Sequence, residues 1–453
     1  MSHQSLPVVI IGAGPVGLAA ASHVLARNLT PRVVEAGRTA GAGIRRWGHV
    51  RMFSPWKFNV DKAAVAILER HGWVMPEGDT YPTGHDLVDH YLEPLAGTSD
   101  LAPCIRFNAR VVAVARQDHD LMKDGGRDTA PYLVRVAGPD GERDVLAQAV
   151  IDASGTIETP GALGASGLPA IGEPAAADRL FYGIPDVLGT HRRRYEGQRV
   201  LVVGSGHSAL NALLDLAHLA AEDTKTHIVW AIRRPTLGQL LGGARNDQLE
   251  ERGKLGSRVR ALLDAGRLEL VTGFHLDRLT QTSEGIVASA GTGRLQAVDQ
   301  IIAATGFRPD WSILSEVRLD LDAAVQSPTA LAPLIDPNLH SCGTVRPHGA
   351  EELKHPDANL FAIGMKSYGR APTFLMLTGY EQARSVVSAI AGDWEAARRV
   401  ELVLPETGVC SLDASPAAAT SCCGPAEISP VPVTLGAPGI VQPAARSGSS
   451  CCG

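Results

Sequence analysis

Residues 7–28 read PVVIIGAGPVGLAAASHVLARN. Residues 8–11 form a continuous apolar run, the pattern of a strand buried on both faces. The run enters Gly12-Ala13-Gly14-Pro15-Val16-Gly17 and then an alanine-rich helical stretch. A second strand, RVVEA, follows and carries Glu35 and Ala36 at its end. The chemistry explains the pattern. Gly12 permits a tight turn, Gly14 lets the backbone approach a pyrophosphate, and Gly17 lets helix and strand pack closely. The helix start, with Pro15 at its first position, offers free N–H groups to phosphate, and Glu35 can accept from an adenosine ribose.

The same plan recurs at QRVLVVGSGHSALNALLDLA. Strand residues 200–203 lead into Gly204-Ser205-Gly206-His207-Ser208-Ala209, and the strand THIVWAIRRPT follows. Where the first unit has Glu35, the second has Arg233 and Arg234. A carboxylate there repels a 2′-phosphate, whereas guanidinium forks bind one. The second site therefore reads as binding NADPH, and the first as binding a non-phosphorylated adenosine, most simply FAD. Alternating strand patterns follow each fingerprint: RVVAVAR and YLVRVAGPDGERDVL in the first, LELVTGF and GIVASAGTGRLQ in the second. Each set closes on an apolar strand and a small-residue turn, Ala153-Ser154-Gly155 and Ala304-Thr305-Gly306. The expected fold is α/β: two Rossmann-like dinucleotide-binding domains, each with a β-meander, plus a flexible C-terminal tail. The expected boundaries are 1–157 and 308–400 for FAD, 158–307 for NADPH and 401–453 for the tail.

Composition excludes other classes. The net charge is -6 and aromatics are 5%, with no basic stripe for nucleic acid. The one basic run, HRRRY, reads as a solvated turn. No apolar segment reaches membrane-spanning length, and the N-terminus lacks the features of a secretory signal. Cys104 and Cys342 stand alone in the body, while Cys410, Cys422, Cys423, Cys451 and Cys452 lie near the end. This is not a disulfide framework, and a reducing cytoplasm is expected.

Two fingerprints, both small-residue turns and the closing FAIG strand together resemble the two-dinucleotide-binding-domain flavoproteins, over residues 7–392. Within them, RRWGHVRMFSPWKF and GMKSYGRAPTFLMLTGYEQARS are similar to class B-like flavin-dependent monooxygenases, above all those encoded in arsenic-resistance operons. The disulfide-reductase branch needs a CxxC or CxxxxC pair that the body lacks. The class B signature is only half present in FYGIPDVLGTH: Phe181 and Gly183 match, and Val187 replaces the His. The resemblance implies Trp47, Arg51, Ser54 and Pro55 beside the flavin ring. The family's Gly-Asp in the last flavin-binding strand is Gly364-Met365 here, so the ribityl contact falls to backbone groups or to another residue such as Lys366.

The resemblance also implies the chemistry. NADPH reduces FAD, O₂ adds to form a C4a-hydroperoxide, and a soft atom of a small-molecule substrate (trivalent arsenic, sulfur or nitrogen) is oxygenated. Arg51 is the candidate for stabilising negative charge on the flavin; the competing reading is a surface arginine paired with an acid. His49 and His207 read as structural. The cysteine-rich end has three open readings. Adjacent thiols suit As(III) or another thiophilic metal, with Cys410 as a third ligand. They could instead relay electrons in an NADPH–FAD disulfide or metal(loid) reductase, or have no catalytic role. A tail of that length spans about 35 Å r.m.s., enough to reach its own site or that of a homodimer partner. A flavoprotein sensor with little turnover is the alternative outside enzymology.

Overall fold

Val8, Val9 and Ile10 lose all exposure to water, each such side chain contributing roughly 1.5–3 kcal/mol through apolar burial. In the computed structural model, which describes residues 6–237, 250–339, 345–372 and 374–402, they belong to the central strand of the first sheet. In chain order the strands are β1 (Val8–Ile11), β2 (Pro31–Val34), β3 (Ile105–Arg106), β4 (Arg110–Arg116), β5 (Tyr132–Gly138), β6 (Gly141–Ala147), β7 (Ala149–Asp152) and β8 (Leu180–Tyr182). They continue with β9 (Arg199–Val203), β10 (His227–Ala231), β11 (Glu269–Val271), β12 (Arg278–Thr282), β13 (Gly285–Ala290), β14 (Gly293–Arg294), β15 (Gln300–Ala303) and β16 (Leu360–Ala362).

The first sheet has the order β16-β7-β1-β2-β3, and every neighbour is parallel. The second has the order β11-β10-β9-β15-β8, again parallel throughout. Both are Rossmann-like, and each half carries a three-stranded meander, β4-β5-β6 and β12-β13-β14. The α/β plan expected from the fingerprints is therefore present. As expected, the chain returns to the first sheet through β16, which pairs with β7. The helix Met376–Ile390 follows and packs with Pro15–Ala26, where Gly379 leaves room for Val16. Helix Pro15–Ala26 is alanine-rich because it is covered on all sides: residues from Val16 to Ser22 are buried.

One expectation is corrected. LELVTGF is not a meander strand; its β11 extends the second parallel sheet beside β10. The meander instead begins at β12, where Leu279 is the one buried side chain. The HRRRY run is structural. Arg192 pairs with Glu196 and Glu222, Arg194 donates to Gln300, and Tyr195 is buried. Val187 is also buried in the core of the second half, so an apolar contact occupies the signature's histidine position. No helix among the described residues is long and apolar enough to cross a membrane.

Candidate functional site

The two fingerprints are built from the same contacts. Gly12 turns at φ +101°, and a Cβ there would lie 2.9 Å from the Ala153 carbonyl oxygen. Gly204 turns at φ +133°, and its Cβ would lie 2.3 Å from the Ala304 carbonyl oxygen. Each first glycine thus lets one strand-end turn touch the next. Gly17 does the same for the helix, since a Cβ there would meet Gly12 O at 2.0 Å.

Gly14 and Gly206 differ in kind. A Cβ at either meets nothing within 4 Å, although each caps the start of a long helix, Pro15–Ala26 and His207–Glu222. Neither cap uses a side chain, so the first backbone N–H groups face open space with a positive dipole end behind them. Such a cradle fits a diphosphate. Glu35, at the end of β2, accepts from Ala13 N at 2.7 Å and Gly37 N at 2.6 Å. A carboxylate has about four lone-pair sites, so acceptor capacity remains beside exposed Ala36. In the second half Arg233 is exposed and Arg234 half-buried. Arg233 Nη1 donates to Ala165 O at 3.0 Å. The residues present fit two dinucleotides.

The turn after β7 is held by Asp152, which accepts from Ser154 N at 3.0 Å. Its other oxygen takes the Lys366 ammonium at 2.5 Å, with exposures of 0% and 1%. Lys366 also approaches Ser154 Oγ at 3.3 Å and lies 5.1 Å from the Trp311 ring centre. The ammonium that was one candidate for the ribityl contact, backbone groups being the other, is paired with a buried carboxylate. Gly364, at φ +72° against Val16, keeps its N–H on Gln382 Oε1 at 2.7 Å. That Gln382 is set by His348 Nε2 at 2.9 Å and by Ser367. After β15, Thr305 Oγ1 donates to Gly161 O, and Gly306 turns at φ +81°.

Residues 47–58 join the halves. Phe53 lies 5.5 Å, ring centre to ring centre, from His207 at the start of the second fingerprint helix; Ser205 and Ser208 flank it, half-buried. Trp47 packs on Gly84, whose Cβ would lie 3.0 Å from the indole. Ser54 Oγ donates to Asn59 Oδ1 at 2.8 Å, while Asn59 donates back to the Ser54 and Pro55 carbonyls. Arg51 is exposed, and its charge acts on the Asp86 and Glu251 carboxylates, the surroundings of a surface arginine rather than of a dry cation.

His49, read from the sequence as structural, lies within reach of the Asp186 charge. It is hydrogen-bonded to the Pro185 carbonyl, and its Nε2 is buried with no partner. Burial lowers its pKa, Asp186 opposes this, and His191 and His85 reinforce it. Asp215, which the Asp186 charge also reaches, is pushed up to about 6, by burial first and then by Asp186. No sequence spacing links His49 or Asp215 to Asp186, so only the fold reveals these two couplings. Cys104 is half-buried, with Sγ 3.7 Å from Asp100 O, and burial raises its pKa. Cys342, Cys410, Cys422, Cys423, Cys451 and Cys452 lie outside the described residues. Among the described residues no group of His, Cys, Asp and Glu is arranged to hold a metal.

Two parallel sheets, two glycine cradles and a second-site arginine pair define a two-nucleotide oxidoreductase. The chain belongs to the pyridine nucleotide-disulphide oxidoreductase family, whose profile matches residues 6–352. This membership implies FAD and NADPH as cofactors. Among curated proteins, the rice (Oryza sativa subsp. japonica) indole-3-pyruvate monooxygenase YUCCA1 is 28% identical over 47% of this chain and 46% of its own length. The chain thus spans about half the length of the first curated relatives it matches. Two solved structures share the fold. The bacillithiol disulfide reductase of Bacillus cereus has a TM-score of 0.61 at 18% identity, over 86% of this chain and 99% of that one. The FAD-bound cadaverine monooxygenase DfoA of Erwinia amylovora has a TM-score of 0.60 at 13% identity, over 89% and 99%.

Proposed function

We propose that the chain is an NADPH-dependent FAD monooxygenase that oxygenates a soft heteroatom, trivalent arsenic, sulfur or nitrogen, in a small molecule. Residues 1–157 and 308–400 hold FAD, residues 158–307 hold NADPH, and residues 401–453 carry thiols that capture As(III). One observation carries the reading: two open cradles are bridged at Phe53 and His207, yet Cys104 is the one free cysteine among the described residues. A disulfide relay needs a cysteine pair beside the flavin; oxygen chemistry does not. The indole-3-pyruvate and cadaverine monooxygenases among the similar proteins support the oxygen chemistry.

Bound FAD supplies O₂ activation, using hydride from NADPH. The chain's residues hold, shield and manage protons. N–H groups at the Gly14 end of Pro15–Ala26 take the FAD diphosphate, and the remaining Glu35 lone pairs take its ribose. Backbone at Gly155, Gly306 and Gly364 lines the approach without side chains. Gly206 offers the second cradle, and Arg233 and Arg234 take the 2′-phosphate. Trp47 and Phe53 exclude water. Burial favours the neutral imidazole of His49, its unpartnered Nε2 is open to a proton, and the Asp186 charge favours the protonated form.

The test is NADPH-driven O₂ uptake by FAD-loaded protein with arsenite, a thioether or an amine. Uptake matched to oxygenated product is expected. Anaerobic NADPH oxidation driven by a disulfide or Hg(II), without oxygenated product, overturns the reading in favour of a reductase. Slow NADPH use indifferent to every substrate would make the protein a sensor. Arg51→Ala separates its two roles. Raised peroxide release keeps Arg51 in the mechanism, and unchanged release with unchanged NADPH oxidation leaves it a surface charge.

A further inference from the structure

Gly364 follows β16 and packs on Val16, in the first turn of helix Pro15–Ala26; a Cβ there would lie 3.4 Å from Val16 Cβ. Both of its polar groups are taken by side chains. Its N–H donates to Gln382 Oε1 at 2.7 Å, and its carbonyl accepts from Ser367 Oγ at 2.8 Å. Gln382 Nε2 closes the ring by donating to Ser367 Oγ at 2.9 Å. The second amide hydrogen goes to His348 Nε2 at 2.9 Å, and His348 Nδ1 lies 3.0 Å from the Arg346 carbonyl. Gln382 and Ser367 are 0% exposed and His348 is 3% exposed, so no bulk water replaces a lost partner.

The two ends of this chain are peptide groups with fixed roles. Gly364 N only donates, so Gln382 turns its oxygen there and its NH₂ toward Ser367 and His348. The Arg346 carbonyl only accepts, so His348 Nδ1 carries the hydrogen and Nε2 offers a lone pair. Only the neutral ring fits. A second proton on His348 sets Nε2–H against the Gln382 NH₂, donor against donor. Turning the amide over relieves that clash but sets its NH₂ against the Gly364 N–H. Either way a buried donor is stranded. The charges packed around the ring already have partners. Glu352 of helix Ala350–Leu353 accepts from Gly349 N at 2.9 Å, and Glu381 of helix Met376–Ile390 pairs with Arg384 at 2.6 Å. On the turn after β16, the Tyr368 ring lies 5.5 Å from His348, and Lys366 is paired with Asp152. The adjoining stretches outside the described residues, 340–344 and 373, hold no Asp, Glu, Lys or Arg. Burial lowers the His348 pKa, and the Arg346 carbonyl, Glu352 and Glu381 oppose it.

We propose that His348 and Gln382 are positioning residues for FAD, clamping the Gly364 turn beside the first cradle and releasing it when His348 takes up a proton. The inference rests on the seat of FAD proposed above. Met365 stands where the resembled family has Asp, so the turn has no carboxylate to offer there, and its backbone conformation is what the clamp controls. Cofactor binding then favours the neutral ring. FAD is held above the His348 pKa and lost as pH falls through it, below the ordinary histidine value of about 6.5.

The test uses full-length protein reconstituted with FAD: wild type, His348→Gln, Gln382→Met, His355→Gln and Gly14→Val, diluted from about pH 5 to about pH 8. Freed FAD is read from its fluorescence, and urea midpoints at each pH separate release from unfolding. Wild type is expected to release FAD about ten-fold faster at the acid end. Gln382→Met should release it about ten-fold faster at every pH, because the Gly364 N–H has no acceptor. His348→Gln keeps an acceptor that does not titrate, so it should hold FAD in acid as wild type does at the alkaline end. His355→Gln should keep the wild-type profile. A flat wild-type profile, or one that His355→Gln flattens and His348→Gln preserves, overturns the inference. Should Gln382→Met fail to fold, the His348→Gln profile decides alone. Loss of FAD in Gly14→Val, with His348→Gln and Gln382→Met both matching wild type, leaves the seat of FAD standing and overturns the clamp. Gly14→Val holding FAD as wild type does removes FAD from the first cradle, and the inference falls with that seat.

Discussion

Asp152 and Lys366 meet at 2.5 Å with neither charge in contact with water. Lys366→Met removes one partner and strands a buried carboxylate, which costs roughly 3–5 kcal/mol. Urea unfolding measures this, and the double variant Asp152→Asn/Lys366→Met is expected to lose less than Lys366→Met alone. An equal loss would mean that packing, not charge, sets the effect. The sequence singled out Lys366 as one candidate for the ribityl contact, and the structure pairs it with Asp152. The Gly364-Met365 departure pointed to a missing contact, but nothing in a linear pattern pairs residues 214 positions apart. His355 makes a second prediction at this scale. Its Nδ1 accepts from Asp320 N at 3.2 Å, its Nε2 is buried without a partner, and burial lowers its pKa to about 4. The unfolded chain, with a His pKa of about 6.5, takes up that proton first as pH falls. Stability is therefore lost between about pH 6.5 and 4, by at most about 3 kcal/mol. His355→Gln should flatten urea midpoints measured across that window; an unchanged slope would assign the acid loss to other groups.

The fingerprint helices separate two duties of glycine. Gly17 is needed for the fold, since a Cβ would lie 2.0 Å from Gly12 O. Gly14 has open space at the same helix start. Gly14→Val should therefore fold with stability within about 1 kcal/mol of wild type and lose FAD affinity. Gly17→Val should fail to fold or unfold at much lower urea. Gly206→Val should keep its flavin and lose NADPH binding, read by fluorescence quenching. Retention of both ligands in both open-site variants would remove the cradles from nucleotide binding. These elements were legible because strand, turn and helix each impose a backbone requirement that only certain residues meet. The second meander was legible only at GIVASAGTGRLQ, which forms β13 and β14. Its first strand RLTQT buries only Leu279 and so shows no alternation, while LELV alternates weakly yet lies in the parallel sheet. A three-residue strand carries too little pattern to say which sheet it joins.

For the whole chain the open question is how a two-nucleotide body acquires a substrate. In the proposed reading the body, within residues 6–402, hosts the flavin and oxygen chemistry, and the thiols of Cys410, Cys422, Cys423, Cys451 and Cys452 follow. Adjacent cysteines have Cα atoms about 3.8 Å apart, shorter than an unstrained disulfide prefers, so paired free thiols are the stable reduced form and suit As(III). If the thiols gather substrate, cutting the chain after Pro405 leaves FAD content and NADPH affinity unchanged. It also removes tight arsenite binding and raises the KM for arsenite without changing oxidation of a thioether. Replacing the four paired cysteines by serine should do the same, which separates thiol chemistry from chain length. Should both variants oxidise arsenite like wild type, the cysteines have no part in capture, and arsenite, if it is oxidised at all, enters the body unaided. A fall in thioether oxidation as well would instead place the tail in the flavin reaction itself. That outcome matches a relay of electrons rather than delivery of a metalloid.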